Sequence, residues 1–281
     1  MIAGLDTLMI ALYVELTDRI IASPGNGGRR VGRPPKVTGA GLVCLAVTQV
    51  LLRYDDERHW LRAAPARVGH LFPRLLSQSE YNERLKNAAP LMDGTPVPCG
   101  QSVVTAKRSG LAGDAGYGHC ASHSRCYWGA KLMLIVTPDG TITGFCLANP
   151  KLTGERDQAS EMLRRQPANR PHPGIVIVTD KGFAGEDFED FLTSPQLGLT
   201  LIRPARKDEK HPRRFPNWLR QRVEAIIWTV KNQLGLERHG ARVPAGLWAR
   251  VVQRLLALNA AIWHNWKIGA PVKRSLMPYD H

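Results

Sequence analysis

The sequence lacks the features of a disulfide-built, secreted or membrane-spanning protein. Only five cysteines occur in 281 residues, and an odd number spread along a long chain argues against a disulfide scaffold and for a reducing compartment. No apolar run reaches the roughly 18 to 20 uncharged residues that a spanning helix needs. Acidic residues interrupt the apolar N-terminal segment, where neither a basic region nor a cleavage site marks a secretory signal. We therefore expect a cytoplasmic protein without a membrane partner.

Two further absences argue against nucleotide hydrolysis and against a zinc site. The glycine-rich segment at 25–28 has no Lys-Ser/Thr ending, so nothing predicts a phosphate loop for nucleotide-triphosphate hydrolysis. His119, Cys120, His123 and Cys126 are types of residue that bind zinc, but no second pair follows at a suitable distance. Zinc is therefore the weaker interpretation of these four residues.

Positive charge is what the sequence has in excess. The chain carries 38 Lys and Arg against 24 Asp and Glu, a formal net charge of +14, with a pI near 10.0. Such a balance is typical of proteins that bind a polyanion, and nucleic acid is the first candidate. A basic surface without a nucleic-acid partner would give the same excess of Lys and Arg, so the candidate site residues must decide between the two interpretations.

The order of elements predicts two regions. Residues 1–88 form a small helical region, a candidate DNA-binding region, in which Thr38 caps a helix and a Gly/Pro-rich basic arm spans 23–36. Residues 89–281 then show a strand into Asp93, a hairpin around Pro138-Asp139-Gly140, and alternating helices and strands that end in helices near 217–236 and 247–266. This is an α/β order, and by analogy it predicts a ribonuclease H-like mixed sheet flanked by helices.

Two aspartates follow predicted strands. Asp93 comes after a short apolar stretch and before a Gly-Thr-Pro segment that we expect to be a turn. Asp180 follows the buried strand Ile175 to Thr179, and α/β sheets place their sites at the carboxyl ends of strands. Simple capping of the next helix would also account for Asp180 alone.

A glutamate on a later helix completes the candidate set. At about 100° per residue, Arg220, Glu224 and Lys231 share one face of the helix that begins near Asn217, beside an apolar stripe. An ordinary surface pair of Arg220 and Glu224 is the competing interpretation. The rival acids Glu155, Asp157 and Asp187 lie in helices or loops where capping or exposure suffices, and they rank lower.

Three converging carboxylates need cations, because like charges repel. Two Mg²⁺ (or Mn²⁺) ions about 3.5 to 4 Å apart can assist an in-line displacement at phosphorus. In this arrangement Asp93 bridges both ions, while Asp180 and Glu224 each hold one. The predicted chemistry is phosphoryl transfer on DNA.

Short motifs carry a resemblance to a known family. The sequence resembles the DDE transposases of bacterial insertion sequences, in the branch numbered nine-eight-two and related to the fourth. In such families two acids follow strands, and the Glu lies on a helix. Three residues separate this Glu from a preceding Arg, and six residues separate it from a following Lys. Arg220, Glu224 and Lys231 have this spacing. The other stretches that carry the resemblance are Arg33-Pro34-Pro35-Lys36, Asp93-Gly94-Thr95-Pro96-Val97, Cys120-Ala121-Ser122-His123-Ser124-Arg125, Ala148-Asn149-Pro150-Lys151, Asp180-Lys181-Gly182-Phe183 and Ala261-Ile262-Trp263-His264-Asn265.

The resemblance implies a function and its partners. The enzyme would cut at insertion-sequence ends to free a 3′-hydroxyl and transfer that strand into target DNA without a covalent protein intermediate. Its partners would be double-stranded terminal inverted repeats and target DNA, bound by a homo-oligomer associated with the nucleoid. Besides Arg220 and Lys231, the basic residues that we expect to contact DNA are Arg29, Arg30, Arg33 and Lys36 of the arm, which resembles an AT-hook core, and Lys107, Arg108, Arg125 and Lys181.

Two alternatives stay open. Only 88–92 leads into Asp93 as a strand, and so short a segment is also compatible with a catalytically defective relic that acts only as a DNA-binding protein. A nuclease of the same fold would use the same two-metal site with water as the nucleophile.

Overall fold

A computed structural model of the protein describes residues 4–20, 37–72, 94–100, 103–120, 125–165, 176–205 and 217–272, together with Leu276 and Tyr279. Its α-helices in chain order are α1 (Leu5–Glu15), α2 (Gly39–Leu51), α3 (Glu57–Val68), α4 (Val103–Arg108), α5 (Glu155–Arg165), α6 (Glu186–Thr193), α7 (Asn217–Trp228) and α8 (Pro244–Lys267). Its strands are β1 (Gly94–Gly100), β2 (Gly116–Cys120), β3 (Arg125–Val136), β4 (Ile142–Ala148), β5 (Val176–Val178) and β6 (Thr200–Ile202). The predicted α/β class is confirmed.

The chain packs as two compact units. One comprises Met1–Pro90 and Thr229–His281, and the other comprises Leu91–Trp228. The junction at residue 90 lies beside the boundary predicted at 88 and 89. The segment from Thr229 onwards belongs to the unit of the N-terminal helices, although the predicted second region runs to residue 281. Which units act as functional domains stays a prediction.

Helix α2 is the centre of the first unit. Apolar residues cover it on nearly all sides, so it is buried along most of its length, as such a pattern predicts. Thr38 caps it as expected, because its Oγ1 accepts a hydrogen bond from Gly41 N at 3.0 Å. The core around it consists of buried side chains from α2, α3 and the residue before the cap: Val37, Leu42, Leu45, Ala46, Trp60, Ala64 and Val68.

Polar contacts join α8 to α2 and α3 in the same unit. The buried amide of Gln253 donates from Nε2 to Ala46 O at 2.8 Å and to Gln49 Oε1 at 3.0 Å. Arg250 donates from Nη2 and Nε to Glu57 Oε1 at 2.8 and 3.0 Å. Because buried polar atoms without partners are costly, these bonds fix how the helices pack. In the described ranges, every helix is too short or too polar to span a membrane.

Strand β3 is the spine of the second unit. Strand β1 pairs antiparallel with one edge of β3, and β2 and β4 pair antiparallel with the other edge, one after the other. Strands β5 and β6 form a separate parallel pair connected through α6. Antiparallel and parallel pairing are therefore both present, as the ribonuclease H-like order requires, but in the described residues they lie in two separate sheets.

The hairpin between β3 and β4 is confirmed, and its turn is tightly bonded. The Asp139 carboxylate accepts hydrogen bonds from the hydroxyl groups of Thr137 and Thr141. Partial burial raises the pKa of Asp139, but these bonds outweigh it and leave the pKa below its ordinary value. Gly140 has φ +102°, a conformation that glycine adopts at little cost.

The prediction of a turn directly after Asp93 is wrong. Gly94, Thr95 and Pro96 begin β1, and Gly94 pairs with Met133 of β3. Prolines at 96 and 98 are compatible with a strand because they alternate, which leaves the N–H groups of the intervening residues available for pairing. The strand expected to lead into Asp93, at 88–92, lies outside the described residues.

Candidate active site

Asp180 lies where the sequence places it, at the carboxyl end of a parallel strand. The ladder between β5 and β6 continues one step beyond the strand, since Thr179 N donates to Ile202 O at 3.0 Å. The chain then turns into a short 3₁₀-helix, Lys181–Phe183. Asp180 is exposed, and its Oδ1 accepts a hydrogen bond from Gly182 N at 2.8 Å. The turn therefore holds one carboxylate oxygen in place.

The N-terminus of α5 packs against this turn. Arg156 donates from Nη1 to Ala184 O at 3.2 Å. A Cβ atom added to Gly182 would lie 2.9 Å from Glu155 Oε2 and 3.0 Å from Asp180 Oδ1. These two oxygens are therefore less than about 6 Å apart. Glu155 is thus a neighbour of Asp180, although its place in the sequence ranks it below the chosen acids.

A lysine from the antiparallel sheet neutralises Glu155. Lys131 Nζ forms an ion pair with Glu155 Oε1, and the two side chains are 23% and 39% exposed. Lys131 lies on β3, where it pairs with Pro96 of β1. No periodic pattern predicts this pair, because its members are 24 positions apart in the sequence.

A buried glutamine fixes α5 on the sheet. Gln158 is 1% exposed, and its Nε2 donates to Lys131 O at 3.2 Å and to Cys146 O at 3.3 Å. Both carbonyls belong to neighbouring strands. The amide therefore links the backbone of β3 and β4 to the helix that carries Glu155.

Asp93 itself lies outside the described residues, but the strand that follows it is described. Its neighbour Gly94 pairs with Met133, two positions along β3 from Lys131. The backbone next to Asp93 therefore runs beside the strand that carries Lys131.

Glu224 is exposed on α7, and α7 is held by the tip of the hairpin. Arg222 donates from Nη2 to Asp139 O at 2.5 Å. A Cβ atom added to Gly140 would lie 2.8 Å from Ile226 Cδ1 and 2.9 Å from Arg222 Nη2. Two residues that flank Glu224 in sequence are thus seated on the turn between β3 and β4.

The helix that carries Glu224 is shorter than predicted. It ends at Trp228, and Thr229–Gln233 forms a π-helical turn. A π turn is wider than an α turn, so the spacing of about 100° per residue does not extend to Lys231. The regular α-helix predicted to 236 is therefore wrong beyond Trp228, and the shared face of Arg220, Glu224 and Lys231 stays a prediction. Lys231 Nζ pairs with Glu237 Oε1 at 3.1 Å.

The remaining predicted DNA contacts are described only in part. Lys107 and Arg108 are exposed at the end of α4. For Arg125, Lys181 and Arg220 the backbone is described and the side chain is not. Four others lie outside the described residues: Arg29, Arg30, Arg33 and Lys36. Their role in DNA binding stays a prediction.

The described residues contain no group of three His, Cys, Asp or Glu side chains that could hold a metal ion. Asp93 is not among those residues, so this absence does not apply to the predicted triad as a whole. The donor type at Asp180 fits a divalent cation: it is an exposed carboxylate, and no hydrogen bond to its Oδ2 is found in the described part of the chain. Magnesium prefers such oxygen ligands.

The fold and this site define a class: a ribonuclease H-like α/β protein with an exposed aspartate at the carboxyl end of a parallel strand. Comparison with known families identifies the chain further. The model of the family described as "Transposase DDE domain" matches residues 90–260, which is more than half of the chain. The chain belongs to this transposase family. No curated protein and no solved structure matches it.

Proposed function

We propose that this transposase cuts the ends of an insertion sequence and joins the freed 3′-hydroxyl to target DNA, using Asp93, Asp180 and Glu224. The observation that carries the proposal is the position of Asp180. Its exposed carboxylate follows a parallel strand and is oriented by the N–H of Gly182, and all three acids lie within the matched range 90–260. The nine-eight-two branch of insertion sequences remains our proposal for the subfamily.

The three carboxylates would hold two Mg²⁺ or Mn²⁺ ions. Bound ions would supply charge stabilisation to the attacking and leaving oxygens at phosphorus. The contribution of the chain is to position its acids: the turn at Gly182 orients Asp180, and the hairpin tip at Asp139 seats the helix of Glu224. Positioning of this kind is what a two-metal site requires of its protein.

DNA binding follows from the charge of the chain. With a net charge of +14, phosphate contacts are expected to provide most of the affinity and to position the duplex without reading its sequence. We assign such contacts to the predicted basic residues, of which Lys107 and Arg108 are exposed in the structure. We further propose a homo-oligomer on DNA, because two ends must be cut, and a cytoplasmic, nucleoid-associated location.

The proposal is tested on DNA that carries the terminal inverted repeats expected at the ends of such an element. Asp93→Asn, Asp180→Asn and Glu224→Gln keep the size of each side chain and remove its charge. We expect each to lose Mg²⁺-dependent cleavage by at least about 100-fold while DNA affinity in gel-shift titrations stays near that of the wild type. Asp187→Asn is the matched control, since Asp187 is an exposed acid on α6 that has no place in the triad. Normal cleavage by Asp180→Asn would contradict the assignment.

A further inference from the structure

Glu155 and Lys131 are close to the candidate metal ligand Asp180, and the triad does not include them. Three described groups meet at this point: the Asp180 carboxylate, the Glu155 carboxylate less than about 6 Å away, and the Lys131 ammonium paired with Glu155. They come from three separate elements: the end of β5, the start of α5 and the middle of β3.

The arrangement has an electrostatic consequence. A carboxylate this close to Asp180 strengthens the attraction for a cation, whereas an ammonium group weakens it. In the ion pair the two effects nearly cancel. The pair also keeps the ammonium group on Glu155, where it does not compete with a cation for Asp180.

Hydrogen bonds other than the ion pair of Lys131 and Glu155 hold the backbone of this region in place. Gln158 holds α5 on the sheet through two strand carbonyls, and Arg156 holds the turn after Asp180 through Ala184 O. The positions of Lys131 and Glu155 relative to Asp180 therefore do not depend on the ion pair alone.

We propose that Lys131 and Glu155 are positioning residues of the Asp180 site: each cancels the effect that the charge of the other would have on the affinity of Asp180 for a divalent cation. The inference rests on the proposed function, in which Asp180 binds the metal ion. It predicts opposite effects for the two halves of the pair.

The test measures Mn²⁺ binding to the full-length chain without DNA, by the loss of the free Mn²⁺ signal in electron paramagnetic resonance. Glu155→Gln leaves an unpaired ammonium group, so we expect the dissociation constant to rise about threefold to tenfold. Lys131→Met leaves an unpaired carboxylate, so we expect it to fall by a similar factor. The double variant should return to within about twofold of the wild type.

Two further variants make the result interpretable. Glu15→Gln removes one negative charge from α1, where Glu15 pairs with Arg19 at 3.1 Å, and should leave Mn²⁺ binding unchanged. Asp180→Asn tests the proposed function separately and should abolish the tightest Mn²⁺ binding.

The outcomes separate the two claims. If Asp180→Asn abolishes binding but the two single variants shift it in the same direction, or not at all, the ion pair has only a structural role and the inference is overturned. If Asp180→Asn leaves binding intact, Asp180 is not a metal ligand, and both the proposed role of Asp180 and the inference fail. Opposite shifts that cancel in the double variant support the pair as an electrostatic device.

Discussion

Replacing Gly140 by Ala tests whether the hairpin tip positions the helix of Glu224. Two effects add at this residue. The φ of +102° is unfavourable for any side chain, and the new Cβ would lie 2.8 Å from Ile226 Cδ1 and 2.9 Å from Arg222 Nη2, both on α7. Either the turn or the helix must move.

Gly113→Ala is a matched control in the same unit. Gly113 has φ +104°, but apart from its two chain neighbours no described residue has an atom within 4 Å of an added Cβ. It therefore reports the conformational strain alone, about 1 to 2 kcal/mol. Gly140→Ala adds the cost of forcing a methyl group into a packed contact, about 1 to 3 kcal/mol. The difference between the two variants measures the contact between the hairpin tip and α7.

Urea unfolding of both variants gives the two free energies, and cleavage of terminal-repeat DNA gives the functional effect. We expect Gly140→Ala to be the less stable variant by about 1 to 3 kcal/mol and to lose at least about tenfold in cleavage rate, because a catalytic group misplaced by about 1 Å reacts much more slowly. Equal stability and equal rates in the two variants would show that the tip does not position the helix.

Two further predictions concern other regions. Gly182→Ala places a methyl group about 3 Å from the carboxylate oxygens of Glu155 and Asp180. We expect the Mg²⁺ concentration for half-maximal cleavage to rise several-fold while the thermal unfolding temperature changes little. An unchanged Mg²⁺ requirement would contradict the described geometry. Burial and the nearby charge of Lys267 lower the pKa of His264 from its ordinary 6.5. As the pH falls through 6.5, the unfolded chain takes up this proton before the folded chain does, so the free energy of unfolding should decrease. In urea titrations, the free energy of unfolding of His264→Gln should decrease less between pH 7.5 and 5.5 than that of the wild type. Equal decreases in both proteins would show that His264 is not the source of the pH dependence.

Local patterns predicted much of the fold. The cap at Thr38, the hairpin at Gly140 and the strand before Asp180 follow from residue types and short spacings, and the structure has all three. The helix after Asn217 was predicted too long, because a π turn depends on packing that periodicity does not report. The turn expected at Gly94 is a strand because β3 offers a pairing edge, which is a tertiary effect.

The candidate site was predictable only in part. A single charge after an apolar strand identifies Asp180, since it is a local signal. The neighbours of Asp180 are not local: Lys131 and Glu155 come from a strand and a helix that meet only in the folded chain. A sequence in which Glu155 looks like an ordinary first-turn acid gives no reason to place it there.

The most direct test of the central claim is strand joining with a pre-cleaved terminal-repeat end and a target plasmid. The wild type should join the 3′-hydroxyl to the plasmid in Mg²⁺, whereas Asp180→Cys should join only in Mn²⁺, because a thiolate is a poor ligand for Mg²⁺ and a better one for a softer ion. Hydrolysis without joined product by the wild type would indicate a nuclease, and wild-type joining by Asp180→Cys in Mg²⁺ would contradict the role of Asp180 as a metal ligand.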